Sequence, residues 1–197
     1  MTIARKITAE DILPRDAYAA MRASRRKEMA ALKRNRRVAI GPDATAYFES
    51  FETMRHQVQE MLHIEGGGAE QLPDELEAYN PLVPDGRELV CTVMFEIDDP
   101  VRRKAFLAKL GGVEETMFIR VGDIEITGQA EEDVDRTSAS GKASSVQFIH
   151  FPFTDAAVAA FRKPGAEILL GFKHPAYGHM ARLTEEVRTA LAGDFAA

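Results

Sequence analysis

The sequence has little of what several large protein classes require. Cys91 is the only cysteine among 197 residues, which excludes an internal disulfide and any thiolate-rich zinc or iron–sulfur site built by one copy of the chain. No stretch approaches the roughly 18 consecutive apolar residues of a membrane-spanning helix. The first residues, MTIARKITAED, lack the apolar segment of a secretory signal. We therefore expect a cytoplasmic protein with no membrane partner.

Motifs that would identify a reaction are also missing. Neither G-x-G-x-x-G nor G-x-x-x-x-G-K-[ST] occurs, which removes the commonest sequence evidence for nucleotide binding. No Ser–His–Asp signature is evident. Cys91 lies among apolar residues, which favours a buried, inert thiol over a nucleophile. The catalytic residues stay unknown, and we favour a protein that is not an enzyme.

What is present predicts one folded domain. Apolar residues make up 45% of the chain and charged residues 28%, which is ordinary globular usage and enough for a sizeable core. At this length a single domain over residues 1–197 is expected, with a helical arm over residues 1–37 and an α+β core over residues 38–197.

Helices and strands follow one another irregularly. Good helix formers fill residues 16–36, and one apolar side marks a second helix over residues 51–64. Residues 89–97 are apolar at nearly every position, which predicts a central strand covered on both faces. Gly122-Asp123 predicts a hairpin turn. We expect one short helix within the long connection of residues 69–86, a polar loop over residues 129–140, and two strands at residues 166–173 and 179–183. This order predicts an α+β fold, with N-terminal helices packed on a mostly antiparallel sheet with interspersed helices.

Several short blocks of sequence carry a family resemblance over nearly the whole chain. In order, these blocks are Asp43-Ala44-Thr45, Gln57-Val58-Gln59-Glu60-Met61-Leu62, Ala78-Tyr79-Asn80-Pro81-Leu82, Met94-Phe95-Glu96-Ile97-Asp98-Asp99 and His174-Pro175-Ala176-Tyr177-Gly178-His179. The chain resembles the bacterial domain-of-unknown-function family numbered 3501. The resemblance implies companions of the rubrerythrin type and iron–sulfur oxidoreductases, and hence a role in redox or oxidative-stress physiology. It implies no catalytic residues.

A first candidate site lies on the helix of residues 51–64. His56, Glu60 and His63 are spaced by four and three residues, so they share one side of that helix. Imidazole and carboxylate groups suit iron, zinc or manganese, and Glu-x-x-His pairs occur in di-iron bundles. The trio points away from the apolar side of its own helix, however. A solvated polar face is therefore the first interpretation, and a metal site shared with another element is the alternative.

A second candidate site is the hairpin containing His174 and His179. If the two strands pair around a four-residue loop, these histidines are directly opposed and within reach of one metal ion or anionic ligand. Tyr177 would add a phenolic donor to a ligand pocket, and His150 would add a third nitrogen. The alternatives are a tight turn whose histidines pack or hydrogen-bond at a sheet edge and, for His150, a satisfied core position.

Glu96 is a third candidate, for ligand binding. Its neighbours Asp98 and Asp99 are explained by the start of the next helix, whereas Glu96 shares a face with Val90, Thr92 and Met94. A partly buried carboxylate needs a partner. We expect an arginine beside Glu96, or else a functional role.

The charge distribution gives a fourth candidate. The net charge is −6, yet residues 22–37 carry eight basic residues against Glu28, which leaves −13 for the remainder. A positive helix face of this kind binds nucleic acid or an acidic protein, or pairs with acidic surface of its own chain. Nucleic acid is disfavoured because stacking aromatic residues are absent. The basic candidates are Arg22, Arg26, Lys33, Arg34 and Arg37.

Two functions from different classes therefore stay open. The first is an accessory protein of redox or metal homeostasis that holds a divalent metal (iron, zinc or manganese) or a small ligand at the hairpin containing His174 and His179. Its partner would be a rubrerythrin-type or iron–sulfur protein. The second is a non-enzymatic interaction module that binds an acidic protein or nucleic acid through the basic helix. A homodimer is also expected, because the long N-terminal helix has few residues of its own to bury.

Overall fold

The computed structural model describes residues 6–131 and 142–196. Its helices are α1 (Arg15–Arg34), α2 (Phe51–Glu65), α3 (Gly68–Tyr79), α4 (Pro100–Leu107), α5 (Asp155–Arg162) and α6 (Glu185–Ala192). Its strands are β1 (Arg37–Ile40), β2 (Ala44–Phe48), β3 (Glu88–Phe95), β4 (Met117–Val121), β5 (Ile124–Thr127), β6 (Gln129–Ala130), β7 (Val146–Pro152), β8 (Ile168–Phe172) and β9 (Met180–Arg182). Short 3-10 helices lie at Ala9–Asp11, Asn80–Leu82 and Val113–Thr116.

The strands form two antiparallel sheets, which confirms the α+β prediction. One sheet has the order β1-β2-β3-β7-β6, and the other has the order β5-β4-β8-β9. Side chains from both contribute to one large buried cluster that includes Phe48, Ile119 and Leu170. The sequence predicted one mostly antiparallel sheet; the structure divides it into two because β3, apolar on both sides, needs a covering layer on each face.

The second face of the larger sheet carries a layer of helices. Val90 of β3 packs there with Met54, Val58 and Leu62 of α2 in a smaller buried cluster. The expected central strand is therefore confirmed, with one face against the other sheet and one against helices. Within the described ranges, no helix has the length and apolar character needed to cross a membrane.

Two connections show how local chemistry sets the chain path. Gly122 adopts φ +55° between β4 and β5, as the predicted two-residue hairpin requires. The helix expected within the connection of residues 69–86 is the twelve-residue α3, which is longer than predicted and has Pro73 at an interior position. The single backbone donor that Pro73 lacks does not end this helix. Of the polar loop at residues 129–140, the first two residues form β6, and residues 132–140 lie outside the described part of the chain.

Candidate functional site

The junction of α1 and α2 is built around Glu60. The Tyr18 hydroxyl donates to Glu60 Oε1, and Arg22 donates from Nε to Oε1 and from Nη2 to Oε2, at 2.8 Å each. His56 Nδ1 lies 3.5 Å from the Tyr18 hydroxyl. The Arg22 hydrogen bonds hold the pKa of Glu60 at about 2, so this carboxylate stays ionised and bound to both donors.

This junction changes the interpretation of the trio His56, Glu60 and His63. The three residues do point away from the apolar side of α2, as expected, but α1 covers them instead of water. The His63 ring meets Tyr18 edge-on at 5.7 Å, and burial lowers the pKa of His56. In residues 6–131 and 142–196, no group of three or more His, Cys, Asp or Glu side chains is placed to hold a metal ion. The trio therefore joins two helices.

The hairpin containing His174 and His179 has a different register from the expected one. Gly171 pairs with Met180, the Phe172 N–H donates to the His179 carbonyl, and His174 bridges to Tyr177. The loop therefore shortens to Pro175 and Ala176, and the two histidines are not directly opposed. The prediction of opposed rings was wrong because the tyrosine, and not His179, closes the turn.

Tyr177 closes the turn because its ring and hydroxyl are both used inside the protein. The residue is 3% exposed, and its hydroxyl donates to the Ile40 carbonyl at 2.7 Å while accepting from the Asp43 and Ala44 amides at 3.1 and 3.0 Å. Burial raises the pKa of this phenol, so it keeps its proton. Tyr177 thereby fixes the β1–β2 turn to the other sheet and leaves little capacity for a ligand.

The two histidines beside Tyr177 have separate surroundings. His174 Nδ1 accepts from the Ala176 amide at 3.2 Å, which leaves Nε2–H to donate to the Gly111 carbonyl at 3.3 Å. The His179 ring contacts the Tyr177 ring edge-on, with the ring centroids 4.5 Å apart, and it lies over Gly41. Gly41 has φ +70°, and a Cβ there would come within 2.6 Å of the His179 ring. This close packing agrees with the tight-turn alternative for the hairpin.

His150 lies on β7 in the larger sheet, whereas the hairpin continues from the smaller one. Its Nδ1 is 2.9 Å from Glu88 Oε2, and its Nε2 is 3.9 Å from Glu131 Oε1. Burial lowers the pKa of His150, but the Glu88 hydrogen bond and the nearby carboxylates outweigh burial, so the pKa is raised overall. His150 is thus the partner of a carboxylate in its own sheet.

The structure also differs from the expectation for Glu96, whose side chain is exposed and whose hydrogen-bond partners are hydroxyls. Thr45 Oγ1 donates to it at 2.7 Å and the Tyr47 hydroxyl at 2.8 Å. Two polar side chains of the neighbouring strand β2 take the place of the expected arginine. Glu96 is exposed because the helical layer leaves this end of the sheet open to water. Cys91, in contrast, is fully buried, and burial raises the pKa of its thiol, as an inert cysteine requires.

The basic segment divides into bound and free cations. Arg22 is held by Glu60, and Arg36, which is 6% exposed, pairs with Asp194 and donates to the carbonyls of Phe48 and Glu49. Lys33 is half-buried near the larger sheet, and Arg37 is exposed on β1. Exposed residues lie together on the side of α1 opposite Leu32, and we call this set the outward face: Ala19, Ala23, Arg26, Lys27, Ala30 and Arg34.

The outward face combines a flat floor with unpaired charge. Its alanines let another molecule approach the helix closely. Arg26, Lys27 and Arg34 form no ion pair with any residue that the structure describes, whereas Arg25 pairs with Glu28 at 3.0 Å on another side of α1. Tyr18 is the only buried residue of this twenty-residue helix. Most of α1 is therefore surface, and that surface is positive.

The family model described as "Protein of unknown function (DUF3501)" matches residues 6–195. The chain belongs to the DUF3501 family. A DUF3501-like fold also occurs in a crystal structure of a novel protein of unknown function from Burkholderia pseudomallei K96243, which is 37% identical and has a TM-score of 0.90. That alignment covers 98% of this chain and 100% of the other. No match was found among curated proteins.

The sequence patterns did not single out two residues, Tyr18 and Glu49. Tyr18 was counted among the helix formers of α1, although its spacing of four from Arg22 places both on the side that reaches Glu60. Glu49 was overlooked because it follows the short strand β2 and precedes a helix, where a carboxylate is expected to be solvated. The structure buries it to 6% exposure.

Proposed function

We propose that this DUF3501 protein is a non-enzymatic interaction module that binds an acidic protein segment through the outward face of α1. One observation supports the proposal above the others: Arg26, Lys27 and Arg34 are exposed on one side of a helix and have no anionic partner among the described residues. Unpaired like charges repel one another, so an acidic partner would relieve this repulsion as well as form ion pairs.

The attachment of α1 supports the same proposal. Helices in proteins owe most of their stability to an apolar face packed on a core, yet α1 buries only Tyr18 and relies on the polar contacts of Glu60. Gln59 adds two hydrogen bonds to the backbone of Leu13, at 2.8 and 3.1 Å. A helix held in this way along one side presents the other side to a partner.

An acidic protein fits the outward face better than nucleic acid does. The face carries no aromatic side chain that would stack on a base, and its alanines suit the close approach of another helix. The chain as a whole has a net charge of −6, which opposes the approach of a long polyanion. A short segment with acids on one helical side meets only the local positive charge.

The proposal is tested by fluorescence anisotropy with a labelled helical peptide that carries glutamates on one side. The comparison probes are the same peptide with glutamine at those positions and a single-stranded RNA of similar charge. We expect binding of the glutamate peptide that weakens as salt rises from about 50 to 200 mM. Changing Arg26, Lys27 and Arg34 together to Gln should weaken it about tenfold or more, since each exposed ion pair contributes up to about 1 kcal/mol.

A matched control variant changes three exposed lysines elsewhere, Lys104, Lys109 and Lys163, to Gln. It removes the same charge and should leave peptide binding unchanged. Tighter binding of the RNA would contradict the proposal. So would a dimer, seen by light scattering, that dissociates in the Arg26, Lys27 and Arg34 variant, because the face would then serve a second copy.

The other predicted function, a metal or small ligand held near His174 and His179 in redox or metal homeostasis, stays a prediction. So does the association with rubrerythrin-type or iron–sulfur proteins. Elemental analysis of freshly purified protein and of the variant with both histidines changed to alanine tests it directly. Stoichiometric iron, zinc or manganese that disappears in the variant would support this function over the interaction module.

A further inference from the structure

A cleft of about 350 Å³ opens between the helical layer and the larger sheet. Its sheet side is formed by β2, β3 and β7, and its helix side by the end of α1, by α2 and by the end of α3. Residues around it include Lys33, Tyr47, Tyr79, Thr92, Met94 and Phe148. This volume lies within the range of clefts that take small organic ligands, and the outward face of α1 is not part of it.

Glu49 is the most buried charged group of this cleft, at 6% exposure. Thr53 Oγ1 donates to its Oε2 and Thr92 Oγ1 donates to its Oε1, each at 2.7 Å. No basic side chain of the described residues forms an ion pair with it. A buried carboxylate without a cation is unfavourable, since hydroxyl donors replace only part of its hydration.

The Glu49 carboxylate also has unused acceptor capacity. Two carboxylate oxygens offer about four acceptor positions, and the two threonines fill one on each oxygen. An ammonium or guanidinium group supplies several N–H donors together with the missing positive charge. The carboxylate is therefore suited to a cationic nitrogen that enters through the cleft.

The rest of the lining fits an apolar body attached to that nitrogen. The cleft is also lined by the aromatic residues Tyr47, Tyr79 and Phe148 and by Met54 and Met94. Aromatic faces stabilise nearby cations, and thioethers adapt to ligand shape. Lys33 also lines the cleft, and its positive charge disfavours a ligand with more than one cationic group, such as a polyamine.

We propose that this cleft binds a small organic cation, an ammonium or guanidinium compound with an apolar body, whose charged nitrogen pairs with Glu49. The probe is 2-phenylethylamine, and its comparison probes are the neutral 2-phenylethanol and the anionic 3-phenylpropionate. All three share the ring and chain but differ in the group that meets Glu49. The amine should bind about tenfold or more tightly than either comparison probe.

Methionine methyl NMR gives a readout inside the cleft. Of the eight methionines in the chain, Met54 and Met94 line the cleft, so their methyl signals should shift on addition of the amine and the others should not. Substitution to leucine assigns the two signals. Equal shifts from the alcohol, or no shift of either signal, would overturn the proposal.

Two variants separate charge from shape. Glu49→Gln keeps the volume and should abolish the preference for the amine over the alcohol, whereas Glu115→Gln, at an exposed residue outside the cleft lining, should keep it. Met94→Arg places a cation in the cleft wall at a side chain that is already 37% exposed, and it should displace the amine without unfolding the protein. If Glu49→Gln does not fold, Met94→Arg decides: undiminished amine binding in that variant would refute the site.

Discussion

The tyrosine hairpin between β8 and β9 differs from the helical layer of α1 to α3 in how far its polar groups are paired within the protein. In the hairpin, the Tyr177 hydroxyl makes three backbone hydrogen bonds and both ring nitrogens of His174 contact backbone groups. At the helical layer, the Glu49 carboxylate accepts only from hydroxyls, and three cations on the outward face form no ion pair with any described residue. The hairpin groups are paired within the protein, whereas the Glu49 carboxylate and the three outward-face cations can still pair with another molecule.

The comparison shows that a residue whose type suits chemistry is not always free to bind a ligand once the chain has folded. The turn with His174, Tyr177 and His179 led to the first functional hypothesis, yet Tyr177 serves to join the two sheets. The groups that can still bind a partner are the Glu49 carboxylate, next to the start of α2, and the side chains of two surface arginines and one lysine on α1. Four predictions test this contrast, in order of decreasing effect.

The largest effect is expected from Tyr177→Phe. Removing the hydroxyl takes a buried hydrogen-bond partner from the Ile40 carbonyl and from the Asp43 and Ala44 amides, which should lower the free energy of unfolding by about 2–4 kcal/mol. Urea unfolding measures the change. The matched control is Tyr79→Phe in the helical layer, whose hydroxyl accepts one 3.4 Å hydrogen bond from Gln57, and it should lose no more than about 0.5 kcal/mol. Equal losses would end the contrast.

A smaller and more local effect is expected from Tyr18→Phe. This change removes the hydroxyl that donates to Glu60 and leaves the Arg22 pair intact, so about 1 kcal/mol of the attachment of α1 is lost. Hydrogen exchange should show faster exchange of α1 amides while β3 amides are unchanged. If α1 and β3 amides accelerate together, α1 is part of the global folding unit and not a separately attached helix.

His150 should make stability depend on pH by less than about 1 kcal/mol. Its raised pKa means that the folded state favours the protonated ring beside Glu88. The contribution is complete below the ordinary pKa of 6.5 and is lost as pH rises from there through the raised value. Urea midpoints across this pH range should fall in the parent protein and fall less in Glu88→Gln. An unchanged slope in that variant would assign the effect to another group.

The smallest effect on stability is expected from changing Arg26, Lys27 and Arg34 together to Gln. These side chains are exposed and make no ion pair with described residues, so the free energy of unfolding should stay within about 0.5 kcal/mol. A loss well above this value would show that the cations stabilise the chain itself. Together with the peptide-binding assay, this measurement separates a binding surface from a structural one.

Sequence patterns predicted the fold far better than the sites. The apolar run of residues 89–97 predicted a strand covered on both faces, and Gly122-Asp123 predicted a hairpin; both are confirmed. These signals are local, because a strand's burial and a turn's backbone angle are encoded in adjacent residues. The register of the hairpin with Tyr177 was wrong because it depends on a hydroxyl reaching Ile40, which is 137 positions away in the chain.

The same limit applies to the candidate residues. The side of α2 that carries His56, Glu60 and His63 was identified correctly from its spacing, but only the fold shows that Tyr18 and Arg22 cover it. Glu96 was expected to be partly buried and Glu49 was overlooked, whereas the structure exposes Glu96 and buries Glu49. The helical layer accounts for both differences, because it covers the end of the sheet near Glu49 and leaves the end near Glu96 open.

By itself, the sequence determined that this is an α+β protein with a central apolar strand and a basic N-terminal helix, since composition, periodicity and charge are properties of neighbouring residues. Only the tertiary structure decided which polar groups pair within the protein and which can still bind another molecule. That outcome depends on contacts between residues far apart in the chain, as between Tyr177 and Ile40 or Arg36 and Asp194. The burial and pairing of individual polar side chains are properties of the packed molecule, and no local pattern encodes them.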